Sequence, residues 1–159
     1  MKKIIIGSDK SGYTLKEAVK AHLISLGYEV EDCGTTDPEQ PKGYFIVAPI
    51  LAEKISKGEY ERGILICGTG EGMCIVANKF QGVYAAKCQT LSAAHYARAI
   101  NNANVLTMGG WFLAPEAGIA LVNEFLNTEF LQGLEDWRQK NLVKAFASVQ
   151  ETEAQIYGK

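Results

Sequence analysis

Five short apolar runs punctuate this chain, and an amphipathic stretch follows each of the first four. They lie within KKIIIGS, YEVEDCG, RGILICG, VYAAKC and NVLTMGG. Such runs are too short for helices, and each is bounded by glycine, cysteine or polar residues, as strands are. The third carries Ile64, Leu65, Ile66 and Cys67 in succession, the pattern of a strand covered on both faces. Between the first two runs, Leu15, Val19, Leu23 and Leu26 recur at helical spacing, and Gly27 supplies a stop. Further helices are expected from Tyr44 to Lys57, Met73 to Phe80, Leu91 to Asn101 and Glu116 to Leu126, with Pro115 at a position that opens a helix. Regular alternation of strand and helix calls for one parallel sheet with helices on both faces.

The expectation is therefore α/β: a single Rossmann-like, three-layer domain over residues 1–159 with a five-stranded parallel sheet. A chain of 159 residues suits one domain with a sizeable core. The segment from Leu134 to Tyr157 reads as a long, mostly polar helix added after the sheet is complete. Its Trp137, Leu142, Val143, Phe146 and Val149 need a surface to cover them, either on their own domain or on a second subunit.

Charge and cysteine usage exclude several classes. A net charge of −2 gives no electrostatic case for nucleic acid or an anionic membrane as partner. No apolar run approaches the roughly 20 residues of a membrane span. Ile4–Ile6 is too short for the core of a secretory signal, and a first strand is the expectation there. Cys33, Cys67, Cys74 and Cys88 form no C-x-x-C pair, and only His22 and His95 accompany them, so no metal site is expected. They read as free thiols in a reducing cytoplasm.

Ligands of open parallel sheets bind beyond the carboxyl ends of the strands. Four such ends carry polar or glycine-rich runs here: GSDKSG, CGTT, CGTGEG and CQTLS. Asp9, Lys10, Cys67, Thr69 and Gly70 would then surround one crevice. Gly68, Gly70 and Gly72 are spaced one residue short of a dinucleotide fingerprint, and no Walker lysine follows. The remaining readings are an anion hole of backbone N–H groups at a helix start, with Cys67 as base or nucleophile, or a buried cysteine that merely closes a strand. Spacing alone favours the second.

The run GILICGTGEGMCIVANK, together with KKIIIGSDKSGYTLKEAVKAHL and NNANVLTMGG, resembles the RpiB/LacA/LacB family of sugar-phosphate isomerases over nearly the whole chain. The resemblance implies an aldose–ketose isomerase that needs no cofactor and moves a proton between adjacent carbons through a cis-enediolate. It assigns Cys67 as the base. It places Thr69 and the loop Gly68, Gly70, Glu71, Gly72 and Met73 at an anion hole, and Asp9 at the sugar hydroxyls. It also implies a homodimer or tetramer with shared active sites, which would give the last helix its partner surface.

Departures from the family pattern bear on the substrate. Lys10 stands where ribose-5-phosphate isomerases usually carry histidine. The ring-opening histidine of the family's HN-x-AN motif is Ile100, with Asn101 matching the asparagine after it. A frequent arginine is Trp111, and of two arginines near the C-terminus only Arg138 remains, Leu134 filling the other slot. Glu71 puts a carboxylate beside the hole, and Tyr44, which follows PKG, is expected with Trp111 either to reshape the pocket or only to pack. These changes favour a sugar that needs no ring opening, such as a tetrulose phosphate or a keto-uronate. Ribose-5-phosphate or galactose-6-phosphate isomerisation, with or without a paired subunit, and a catalytically silent sugar-binding subunit are the alternatives.

Overall fold

A computed structural model describes residues 2–158. Strands β1 (Lys3–Ser8), β2 (Glu29–Asp32), β3 (Gly63–Cys67), β4 (Ala85–Lys87) and β5 (Val105–Gly109) form one parallel sheet in the order β2-β1-β3-β5-β4. Helices α1 (Tyr13–Ser25), α2 (Tyr44–Ser56), α3 (Glu71–Ala77), α4 (Leu91–Ala99) and α5 (Pro115–Asn127) cover it, and α6 (Asp136–Tyr157) follows. The α/β, three-layer, five-stranded expectation holds. The strand order was not legible in advance, because β4 lies outside β5 and the chain passes one strand position before returning.

Alternation along the central strands builds two cores. Ile4, Ile6, Ile64, Ile66, Leu106 and Met108 pack with α1, α4 and α5. Ile5, Leu65, Cys67 and Val105 pack with α2 and α3. Every residue of β3 is buried, as its unbroken apolar run predicts. β1 and β3 are neighbours, yet α1 leaves to one face and α3 to the other. Their carboxyl ends therefore flank an open crevice, the topological switch point of the sheet.

The third helix starts at Glu71, two residues before the expected Met73. Gly70 adopts φ +81° as its N-cap, and this left-handed turn starts the helix directly from the strand-end loop. α6 rests on its own domain along one narrow line. Leu142 and Phe146 face inward, with the Phe146 ring 5.2 Å from that of Tyr84. Glu153 accepts from the Gly82 N–H at 2.6 Å and from the Tyr84 hydroxyl at 2.9 Å. None of its residues is buried, and Trp137, Val143, Val149 and Ile156 face solvent. A cavity of about 500 Å³ separates α6 from β4 and α4. No helix among the described residues is long and apolar enough to cross a membrane.

Candidate active site

Three loops interlock at the carboxyl end of the sheet. Gly110 donates its N–H to the Cys67 carbonyl at 2.8 Å, and Trp111 donates to the Gly68 carbonyl at 3.0 Å. Asp9 donates its N–H to the Ile66 carbonyl at 3.3 Å. The first loop can lie this close only because it carries glycine: a Cβ on Gly12 would stand 2.5 Å from the Ile66 carbonyl oxygen.

Cys67 is buried at 4 % exposure, and its sulfur accepts the Gly70 N–H at 3.1 Å. Thr69 accepts the Glu71 N–H on its hydroxyl at 3.2 Å. The N–H groups of Gly72 and Met73 lie in the first turn of α3, where no intrahelical acceptor exists, and they have no other partner among the described residues. The Met73 side chain is fully buried in the core. It offers the crevice its backbone alone. A carboxylate oxygen of Asp9 accepts the Gly12 N–H at 3.0 Å. Burial raises the Asp9 carboxyl from its ordinary value, outweighing the backbone N–H groups of Gly12 and Ser11 that oppose it. Lys10 lies exposed beside it.

Burial first, and then the charges of Asp32 and Glu31, push the Cys33 thiol up to about 12. Burial raises Cys88 to about 11, and Cys74 is raised as well.

Glu71 is exposed and ion-paired: Lys87 at the end of β4 reaches its carboxylate at 2.5 Å. The carboxylate beside the loop is thereby neutralised at the rim. Lys87 also lies over the Phe112 ring, 5.7 Å from its centroid. Neither Lys87 nor Phe112 carries a motif, and no sequence signal singled them out. Tyr44 and Trp111 were singled out, and their rings pack on Gly72 and Gly68 of the loop.

Asn101 and Arg138 do not join this constellation within one chain. α4 starts at the carboxyl end of β4 and runs back, so Ile100 and Asn101 fall at the amino ends of the strands. Arg138, in the first turn of α6, follows a segment tied to that same end through the Leu131 N–H on the Ala99 carbonyl. His95 is likewise remote, its Nδ1 lying 2.8 Å from a Glu124 carboxylate oxygen between α4 and α5.

This arrangement has close counterparts. A 4-deoxy-4-sulfo-D-erythrose isomerase of Clostridium sp. (strain MSTE9) is 59 % identical over 157 residues, 99 % of each chain. A D-erythrulose-4-phosphate isomerase of Pectobacterium atrosepticum is 39 % identical, covering 84 % of this chain and 88 % of its own. The solved structure of Clostridium thermocellum ribose-5-phosphate isomerase B superposes with a TM-score of 0.87 at 36 % identity, covering 97 % of this chain and 99 % of that one. The sequence profile described as Ribose/Galactose Isomerase matches residues 4–146, which takes in the sheet except Lys3 and all the crevice loops. With fold, strand-end loops and sequence in agreement, the chain belongs to the ribose/galactose isomerase family, the RpiB/LacA/LacB group that its motifs resemble.

Proposed function

We propose that this protein isomerises an open-chain four-carbon sugar carrying an anionic group on C4, with 4-deoxy-4-sulfo-D-erythrose as the lead substrate. Aldose–ketose isomerase activity follows from the family and from its relatives. Ile100, which like Asn101 would reach a crevice from a second copy, carries the choice of substrate. A ring-opening step needs a group that transfers protons, and isoleucine has none. In a tetrose whose C4 oxygen is replaced by sulfonate, no hydroxyl remains to close a five-membered ring on C1. Such a sugar needs no ring opening. The relative at 59 % identity is named for this compound.

The altered guanidinium set points the same way. Trp111 and Leu134 occupy slots where arginines would grip a phosphate, which is largely dianionic at neutral pH. A sulfonate carries one charge and asks for fewer bidentate partners.

In the reaction, the Cys67 sulfur in its thiolate form removes the proton from C2. The electron pair forms a C1–C2 double bond, and negative charge collects on the former aldehyde oxygen. The N–H groups of Gly72 and Met73 meet that charge as it develops. The thiol then returns its proton to C1. The C2 hydroxyl loses its proton as the ketone forms, and the C1 oxygen gains one, so the reaction is redox-neutral overall. Asp9, with its raised carboxyl, holds the hydroxyls and is suited to relay that proton. Intact Cys67, Thr69 and Asp9 speak against a silent sugar-binding subunit.

Asn101 and Arg138 then reach a crevice from a second copy, in a homodimer or larger assembly of shared sites. The apolar residues of α6 left uncovered support this reading. Four free cysteines fit a reducing cytoplasm.

Deuterium incorporation by NMR tests the reading. The protein is mixed in D₂O with 4-deoxy-4-sulfo-D-erythrose, D-erythrose 4-phosphate or D-ribose 5-phosphate. Fast exchange next to the carbonyl of the sulfo sugar, lost in Cys67→Ala, is expected. Fastest exchange into ribose 5-phosphate would overturn the four-carbon assignment.

A further inference from the structure

Two aromatic rings frame the loop assigned to the anion hole. A Cβ on Gly68 would stand 2.7 Å from the Trp111 ring, and a Cβ on Gly72 would stand 2.8 Å from the Tyr44 ring. Each ring thus lies directly on glycine backbone, one at either end of the segment that presents the Gly72 and Met73 N–H groups. Trp111 is fixed there by its own backbone, through the 3.0 Å bond to the Gly68 carbonyl. Tyr44 opens α2 and packs edge-on against Phe45, ring centroids 5.6 Å apart.

Neither ring belongs to a core. Trp111 is 70 % exposed and Tyr44 is 40 % exposed. Both therefore keep a large uncovered surface beside the loop. Bare aromatic surface at the mouth of a crevice marks a place where a ligand or partner packs. Here the surface flanks the residue after Cys67 on one side and the residue before Met73 on the other. A sugar whose carbonyl oxygen lies on the loop must extend its chain past these rings.

We propose that Trp111 and Tyr44 are the chain-length determinants of the site. The rings are walls that admit a four-carbon open chain with its anionic tail and obstruct a fifth carbon. This inference rests on the four-carbon reading above and deepens it. The two glycines are part of the same device, because any side chain at 68 or 72 would displace its ring.

D-erythrulose 4-phosphate and D-ribulose 5-phosphate test it. Both are ketose phosphates whose terminal oxygen is blocked, so neither closes a ring, and they differ by one carbon. Each is titrated as a competitive inhibitor of deuterium exchange into 4-deoxy-4-sulfo-D-erythrose, so neither has to be turned over. In the wild type the four-carbon compound is expected to bind about tenfold or more tightly than the five-carbon one, the scale at which a pocket senses one carbon. Trp111→Ala and Tyr44→Ala are expected to bring the two inhibition constants within about threefold of each other, while Trp111→Phe keeps the wild-type ratio. Melting temperatures and light scattering accompany each variant.

A wild-type ratio near one, or a ratio unmoved by both alanine substitutions, overturns the inference while leaving the four-carbon reading intact. An unmoved ratio accompanied by a fall in molecular mass overturns it too and assigns the rings to a subunit interface. Absence of exchange into the sulfo sugar in the wild type overturns the underlying reading and the inference with it.

Discussion

The backbone N–H of Gly70 points at the Cys67 sulfur from 3.1 Å, across a loop of two residues. This contact holds the side chain in one place at the end of β3. It depends on the left-handed conformation of Gly70, φ +81°. Strand, sulfur and helix start are thereby tied into one unit, with the proposed base one short loop from the proposed anion hole.

Removing the sulfur tests that unit. Cys67→Ala should lower the rate of proton exchange by about 10²- to 10⁴-fold, the usual range for loss of a general base. Its melting temperature should move little, since the change is small and the fold around β3 stays packed. Exchange kinetics with a thermal melt separate the two effects.

Gly70→Ala should damage both stability and turnover. A Cβ there would stand 2.9 Å from the Met108 carbonyl carbon, on backbone that cannot swing aside. The left-handed conformation adds its own penalty, so about 2 kcal/mol or more is expected, lowering Tm by roughly 4–8 °C. Calorimetry checks the first effect and deuterium exchange the second.

Glu71→Gln should free Lys87 at the rim. The crevice then gains an unpaired positive charge, and KM for an anionic sugar should fall about two- to threefold at low ionic strength, with the gain fading as salt is added. Lys87→Ala should move KM the other way. Initial rates at several salt concentrations decide it.

The pair Lys16–Asp32 governs acid stability. The Lys16 side chain is 0 % exposed and its ammonium lies 2.5 Å from Asp32 and 2.6 Å from the Thr35 carbonyl. Burial would raise the Asp32 carboxyl, but hydrogen bonds from Lys16 and Lys20 outweigh it and leave the group below its usual value. A carboxyl depressed in the folded state stabilises above its unfolded pKa, and that stability is lost as pH falls through the folded value. Urea unfolding should therefore show stability from this pair at pH 5–7 that declines below about pH 4. Asp32→Asn should remove this part of the pH dependence and cost about 1–3 kcal/mol near neutrality, because the buried Lys16 ammonium keeps only Glu17, at 2.8 Å, and the Thr35 carbonyl as partners.

Lys16 also shows where reading the sequence stopped. In the helical pattern of Leu15, Val19 and Leu23 it passes for a surface lysine, and it is the partners after α1, Asp32 and the Thr35 carbonyl, together with Glu17, that explain its burial. The crevice was legible for the opposite reason. In a parallel sheet every carboxyl end faces the same way, so GSDKSG and CGTGEG had to lie at the same end of the sheet, and the pairing of β1 with β3 makes them neighbours. Asn101 and Arg138 were grouped with that crevice by their motifs, yet within one chain they stand at the other end of the strands, since a motif carries no information about which end of a crossover helix bears it.

Local pattern by itself determined the elements: five strands, the helices between them, and a cysteine set just before a glycine loop. These follow from periodicity and backbone stereochemistry, which act over a few residues. Tertiary structure alone decided that β4 lies outside β5, that Lys87 neutralises Glu71, and that Tyr44 and Trp111 seat on Gly72 and Gly68. Such contacts join residues far apart in the chain. Their geometry is set by how the sheet twists and by which helix covers which face, and neither is written in any short stretch of sequence.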